Sequence, residues 1–170
     1  MSLKKVLFPI IILAIVISVS GCSDSGTISL KEGSKVVLIP DGDEGYALTF
    51  AAIIENNTNS KSAPFYVEFK IQDEWLNSKL EQDEFIVGES MEVNNSEGSL
   101  YKIDANSDFH TGNTLRVIGE TEINKLKKTI EQNDSVKVNL LNEDKEIIQS
   151  DFINTFGKDL TVDGVDDTVQ

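Results

Sequence analysis

Few side chains in this sequence are suited to nucleophilic catalysis. The chain has one histidine, His110, and one cysteine, Cys22. A hydrolase needs a nucleophile held against a general base, and the sequence has no Gly-x-Ser-x-Gly segment that would expose a serine. His110 lies in the polar stretch from Asn106 to Asn113, which predicts a loop. Hydrolysis is therefore the least favoured activity.

Oxygen-bearing side chains make a sharper pattern at Asp104, Asn106 and Asp108, which occupy alternate positions. Calcium loops present oxygen ligands at positions one, three and five in this way. The pattern departs from an EF-hand because Phe109 stands at the glycine position and Leu115 at the glutamate position. A weak calcium site is one interpretation. The other is that Asp and Asn occur here because they tolerate turn conformations.

The residues before Cys22 resemble the lipobox of bacterial lipoproteins. The motif is Val19-Ser20-Gly21-Cys22, and Lys4 and Lys5 precede an apolar stretch that runs to Ile17. A positive segment followed by an apolar one is the order of an export signal. The resemblance implies cleavage before Cys22 and a diacylglyceryl group on its thiol. We therefore expect residues 1–21 to be a lipoprotein signal peptide and Cys22 to be the lipidated first residue.

The length of the apolar stretch favours a signal over a transmembrane helix. It has about twelve residues, whereas a helix that crosses the bilayer needs about twenty. Two acyl chains hold a protein stably at a membrane, so a lipid on Cys22 suffices as an anchor. The expected location is the extracytoplasmic side of a cell membrane. With its single cysteine used for lipid, the mature domain has no disulfide and depends on a hydrophobic core.

The acidic composition of the chain restricts the kinds of partner that it can bind. The chain has 29 acidic and 15 Lys and Arg residues, for a net charge of −14. Removal of Lys4 and Lys5 with the signal makes the mature chain still more acidic. Nucleic acid is not expected as a partner because phosphate recognition needs a basic face. The expected contacts are the membrane, through the lipid, and an envelope protein or polymer.

Local composition also divides the mature chain into a tether, a domain and a tail. Residues 22–33 are rich in Ser, Gly and charge, which predicts a lipidated tether. Residues 157–170 are acidic and lack a sustained apolar period, which predicts a flexible tail. Between them, residues 34–156 are long enough for a single β-rich domain.

Hydrophobic alternation predicts most of the elements of this domain. Apolar residues occupy every second position from Phe65 to Ile71 and from Tyr46 to Ile54, which predicts two half-buried strands joined as an antiparallel pair. Val136–Leu141 and Glu146–Ile153 predict a second hairpin. A helical period predicts one short helix over Thr121–Gln132. Shorter strands are predicted at residues 36–39, 85–93, 100–103 and 114–118.

About eight short strands and one helix predict a mainly β fold. The favoured architecture is an immunoglobulin-like antiparallel β-sandwich, and the alternative is a small, partly open β-barrel. The Cys…Trp…Cys pattern of antibody domains is absent. The mature domain is only generally similar to small Ig-like domains of lipoproteins.

Three functions follow from these observations. The first is a membrane-anchored binding or accessory module for an envelope protein or polymer. The second is a small-ligand or calcium-binding lipoprotein, and the third is an envelope hydrolase. Trp75 and Tyr101 are candidates for a sugar-stacking or partner-binding surface, although such aromatic residues more often belong to a core.

Overall fold

A computed structural model describes residues 28–42, 45–80, 82–87 and 98–158. In this part of the chain the elements follow the order β1 (Ile28–Leu30), β2 (Lys35–Asp41), β3 (Gly45–Asn56), β4 (Tyr66–Ile71), α1 (Glu74–Asn77), β5 (Glu84–Ile86), β6 (Ser107–Arg116), α2 (Ile123–Gln132), β7 (Val136–Leu141), β8 (Ile147–Phe152) and β9 (Phe156–Lys158).

The strands form two sheets. In the five-stranded sheet, β6 pairs with β3 over its full length, while β1 and β2 follow one another along the opposite edge of β3. β9 extends this sheet by pairing with β2 in parallel. The four-stranded sheet has the order β5-β4-β7-β8 and is antiparallel throughout. The described residues form no closed barrel, and the predicted mainly β sandwich is confirmed.

The core lies between the two sheets because each sheet has one apolar face. Alternate residues of β3 and β4 point inward and are buried, as their period of two predicts. Phe50 of β3, Phe69 of β4 and Phe85 of β5 meet at the centre, with ring centroids 5.2 to 5.9 Å apart. These three rings join the two sheets and are at most 3% exposed.

The predicted pairing of the Tyr46 and Phe65 runs was wrong. Both runs are strands, but β3 and β4 belong to different sheets and face each other across the core. Asn56, which ends β3, is fully buried and turns the chain away from the first sheet. Hydrophobic alternation identifies the apolar face of a strand but not the strand that lies beside it.

The second hairpin and the helix were predicted correctly. β7 and β8 pair antiparallel, and α2 buries Leu126 and Ile130. The prediction missed α1, a single turn that Asp73 begins by accepting a hydrogen bond from the backbone N–H of Leu76 at 2.9 Å. An aspartate at the N-cap is the signal that marks this turn in the sequence.

The predicted loop around His110 is instead the middle of β6. Ten consecutive residues pair with β3, so the strand begins well before the predicted residues 114–118. Its inward positions include Phe109 and Leu115 but also two polar residues, Thr111 and Asn113, so the apolar alternation is interrupted. Near the other predicted strand at residues 100–103, Tyr101 makes only an isolated bridge to Phe65.

The sheet extends beyond the predicted domain limits at both ends. Ile28–Leu30 lies inside the predicted tether of residues 22–33, yet it pairs with the end of β3, and Ile28 is 4% exposed. Phe156–Lys158 likewise enters the predicted tail and pairs with β2. Residues 1–27 and 159–170, which include the whole predicted signal and most of the predicted tail, lie outside the described residues.

Candidate functional site

Cys22 and the rest of the Val19 to Cys22 motif lie outside the described residues, so lipidation remains a prediction from the sequence. The other predicted site residues, Asp104, Asn106 and Asp108, lie where β6 begins. Two of them, Asn106 and Asp108, line a shallow polar depression together with Lys31, Glu55, Asn57 and Ser107, and Asp104 is not part of its lining.

A buried amide organises this end of the sandwich. Asn56 Nδ2 lies 2.8 Å from the carbonyl oxygen of Ser60 and 3.1 Å from those of Ile103 and Asp104. Its Oδ1 accepts hydrogen bonds from the N–H and the hydroxyl of Thr58. Asn56 therefore holds the loop after β3 against the segment that enters β6, and it fixes the position of the predicted calcium residues.

The carboxylates of that predicted set pair with different lysines. Asp104 Oδ1 lies 2.8 Å from Lys61 Nζ, and Asp108 Oδ2 lies 2.6 Å from Lys31 Nζ. Asn106 has a φ of 51° and donates its side-chain amide to Asn59 at 3.3 Å. A left-handed conformation at an asparagine is typical of a turn, which accounts for this residue without a metal.

The ion pair between Lys31 and Asp108 shifts the pKa values of both side chains. The hydrogen bond from Lys31, together with the charge of Lys31, holds the pKa of Asp108 below its ordinary value. The same contacts with Asp108 raise the pKa of Lys31. Within the described ranges, no group of three or more His, Cys, Asp or Glu side chains is arranged to hold a metal ion. A cation at Asp108 would have to displace a lysine that already neutralises the carboxylate.

We expect millimolar calcium to leave the melting temperature of the domain unchanged. A ligand that binds only the folded state raises its stability, and the lysines at Asp104 and Asp108 oppose such binding. Thermal unfolding with calcium and with magnesium would measure this. A calcium-specific rise that Asp108→Ala abolishes would contradict the expectation and favour a calcium-binding function.

The ion pair between Lys31 and Asp108 predicts a pH dependence of stability. Because the pKa of Asp108 is lowered on folding, its stabilisation is complete above the unfolded pKa of about 3.9 and disappears as pH falls through the folded value. The raised pKa of Lys31 keeps the pair charged beyond the ordinary lysine value of about 10.4, and its stabilisation is lost only as pH rises through the folded value.

Asp108→Asn should therefore lower stability slightly from about pH 5 to pH 9, and the difference should vanish in acid. Both side chains are exposed, so salt should also reduce the difference. Urea unfolding at several pH values and two salt concentrations measures it. A difference that persists in acid would contradict this account of the pair.

The candidate aromatic surface is not a single surface. Trp75 is partly buried in α1, and Lys125 Nζ lies 4.3 Å from its ring centroid. Tyr101 packs in another group, 4.6 Å from the ring of Phe109 and 6.2 Å from that of Phe65. Both aromatic residues support the core, and each has its own neighbours.

A surface feature that the sequence interpretation did not identify lies on β8. Ile147 and Ile148 are 58% and 49% exposed, and they are adjacent on a strand that pairs, within the described residues, only with β7. The register shifts opposite them, between Leu140 and Leu141. Two successive isoleucines in a predicted strand were the available signal, because neighbouring strand residues point to opposite faces and one must face outward.

No helix among the described residues is both long enough and apolar enough to cross a membrane. Comparison with protein-family models, curated proteins and solved structures gives no match to this chain.

Proposed function

We propose that this protein is a lipid-anchored module that binds an envelope protein on the extracytoplasmic side of a cell membrane. The sequence supports the anchor through the Val19-Ser20-Gly21-Cys22 motif and the export signal before it. In this proposal, thioether-linked diacylglycerol on Cys22 holds the β-sandwich beside the membrane, and the domain acts by contact.

The observation that carries the binding function is the exposed pair Ile147 and Ile148 on β8. Single exposed apolar residues are ordinary, but an exposed apolar edge strand is a template for pairing with another chain. The unpaired edge of a strand can accept a strand from a partner, with backbone hydrogen bonds giving affinity and side chains giving specificity. Because each isoleucine is already about half buried, covering both would contribute on the order of 1 kcal/mol for each side chain.

Anchoring makes a modest interface sufficient. A protein confined beside a membrane meets other confined proteins at a high effective concentration, so a weak contact is well occupied. The acidic composition favours a partner surface with basic residues around an apolar centre. Affinity measured in dilute solution is accordingly expected to be low.

Site-specific cross-linking in living cells tests this function. With a photoreactive amino acid at position 148 of the full chain, illumination should trap one defined envelope protein. The same amino acid at position 118 is a matched control, because Ile118 is 47% exposed but lies away from β8. Replacing Cys22 with alanine should remove most of the product from position 148.

Two results would contradict the proposal. One is a pattern of products that is the same from positions 118 and 148, which would mean that β8 is not a binding edge. The other is cleavage of peptidoglycan or peptide by the purified protein at a useful rate, which would favour the hydrolase.

Ile147→Ser should reduce the cross-linked product from position 148, whereas Ile118→Ser should leave it unchanged.

A further inference from the structure

We propose that the partner bound at β8 is itself embedded in the membrane, and that β8 contacts it just outside the bilayer, through a segment in which Lys or Arg residues lie beside apolar ones. This inference rests on the proposed function and deepens it, because it names the class of partner. Two features carry it: the place where the lipid-bearing end of the chain enters the sandwich, and the charge around the exposed isoleucines of β8.

The chain between the expected lipid and the sandwich is short. β1 begins at Ile28, six residues after Cys22. A chain of this length cannot extend beyond about 20 Å even when fully stretched. Ile28 is 4% exposed and pairs with Asn56, so this short segment joins the sheet directly. A diacylglyceryl group on Cys22 would therefore hold the Ile28 end of the sandwich close to the membrane surface.

β4 begins at the end of the sandwich where β3 ends. The ring of Tyr101 packs against Phe65, which directly precedes β4, and against Phe109. Phe109 in turn pairs with Ile54, two residues before Asn56, the last residue of β3. The start of β4 in one sheet therefore lies near the end of β3 in the other, and β1 begins at that same end.

Strand pairing within the four-stranded sheet brings β8 to this end as well. Tyr66, the first residue of β4, pairs with Leu141 at the end of β7, and Leu141 pairs with Ile147 at the start of β8. β8 is also next to β1, since Cα atoms of the two strands come within 8 Å of each other. The exposed isoleucines are consequently at the end of the sandwich that the lipid would hold beside the membrane.

The length of the strands makes this position meaningful. β3 has 12 residues, which extend for about 40 Å. Isoleucines at the Gly45 end would stand well away from the bilayer, within reach of polymers and soluble proteins. At the Ile28 end, the surfaces that come first within reach belong to proteins whose own chains enter the membrane. The position of β8 therefore favours a membrane-embedded partner.

The turn between β7 and β8 gives the isoleucines an acidic border. Glu143, Asp144 and Glu146 are exposed and directly precede β8. Lys145 lies among them, but its Nζ is 3.6 Å from the centroid of the Tyr66 ring. These carboxylates would repel anionic lipid headgroups, whereas they would attract Lys and Arg residues of a protein segment. The charge of the turn therefore favours a basic protein segment over the lipid surface itself.

Asn142 fixes the shape of this acidic turn. Its Oδ1 accepts hydrogen bonds from the backbone N–H groups of Asp144 and Glu146, at 3.0 and 2.8 Å. Its side-chain amide donates to Glu146 Oε2 at 3.0 Å. A turn that is already ordered loses little conformational freedom when a partner binds, so its charges are presented at a low entropic cost.

Lengthening the chain between Cys22 and Ile28 tests the position of the partner. With the photoreactive amino acid at position 148, an insert of about 60 Gly and Ser residues after Ser25 should lower the specific product at least about threefold. The longer chain spreads the domain over a thicker layer beside the membrane, so β8 spends less time at the height of an embedded partner. The same insert after Gln170 is the matched control, because it adds equal mass without changing the anchor.

Mass spectrometry of the trapped product gives the class of partner. The expected product is a protein with a membrane-spanning segment, joined to position 148 through a stretch next to that segment that contains Lys or Arg. Glu143→Lys should lower this product about threefold, because it sets like charges against one another. Glu131→Lys is the matched control, since Glu131 is also exposed but lies on α2, which precedes the start of β7.

The proposal is overturned if the insert after Ser25 leaves the product from position 148 unchanged or raises it. It is also overturned if the trapped partner is a soluble protein, a polymer or a phospholipid. Equal products from the two charge variants would overturn the basic character of the partner. A soluble envelope protein trapped equally with both chain lengths would contradict this inference and still support the proposed function. The absence of any specific product at position 148 would contradict both.

Discussion

Phe69→Ala is expected to lower the free energy of unfolding of the domain by about 3 to 5 kcal/mol. Phe69 is fully buried on β4, and its ring contacts Phe50 of the facing sheet and Phe85 of the neighbouring strand. Alanine would leave a cavity where the two sheets meet, and the surrounding strands can close it only in part. A marginally stable domain would lose much of its total stability.

Urea unfolding of the full chain without its lipid measures this loss. Lys70→Ala is the matched control, because Lys70 follows Phe69 directly but is exposed and makes a surface ion pair with Glu84. Its effect on the free energy of unfolding should be much smaller than that of Phe69→Ala, because exposed ion pairs contribute little. Equal losses for the two variants would contradict the assignment of Phe69 to the core.

Glu68 also neighbours Phe69, but it is less suitable than Lys70 as a control for Phe69→Ala. Alternation places it on the outer face, where a substitution should cost about half a kcal/mol or less. In the structure Glu68 Oε2 accepts a hydrogen bond of 2.6 Å from Asn139, which is 2% exposed and also accepts one from Ser150. Glu68→Ala would leave a buried amide without this acceptor, which costs about 1 to 3 kcal/mol.

Cys22→Ala is expected to abolish both lipid attachment and normal cleavage. Only the thiol of Cys22 can carry the diacylglyceryl group, and the resemblance to the lipobox implies that the peptidase acts after lipidation. The cell should accumulate an uncleaved precursor that includes residues 1–21. Metabolic labelling with a fatty acid and the migration of the protein in a gel measure the two effects together.

Ser25→Ala is the control for this substitution, because it changes a neighbouring small residue outside the motif and should leave labelling and cleavage intact. Labelled and cleaved protein in the Cys22→Ala variant would overturn the lipoprotein interpretation. Loss of cleavage without loss of label would place the lipid on another residue.

The architecture was predictable from the sequence because one face of most strands is apolar. The runs at Phe65–Ile71 and Val136–Leu141 alternate clearly, and both are central strands of the four-stranded sheet. Periodicity is a local property, however, and it does not specify which strands lie side by side. β3 and β4 were consequently placed next to each other, although they meet across the core.

Only the end of β6 was predicted as a strand, at residues 114–118, and the rest of it was missed for a different reason. Its outer side faces solvent and three of its five inward positions are polar, so its sequence resembles a loop. Pairing with β3 gives this segment its backbone hydrogen bonds, and that is a tertiary effect which composition does not contain.

The candidate site, like the fold, could be predicted only in part from the sequence. The structure places Asp104, Asn106 and Asp108 together at one end of the sandwich, where β6 begins. The sequence does not reveal that Lys31 and Lys61 reach the two carboxylates, since Lys31 is 77 residues from Asp108. Nor does it reveal the buried amide of Asn56, which organises both loops.

The intact mass of the protein extracted from membranes tests the proposed lipid anchor at Cys22. We expect a chain that begins at Cys22 and carries a diacylglyceryl group on the thiol. A membrane-extracted chain that retains residues 1–21, begins at another residue, or has an unmodified Cys22 would contradict it.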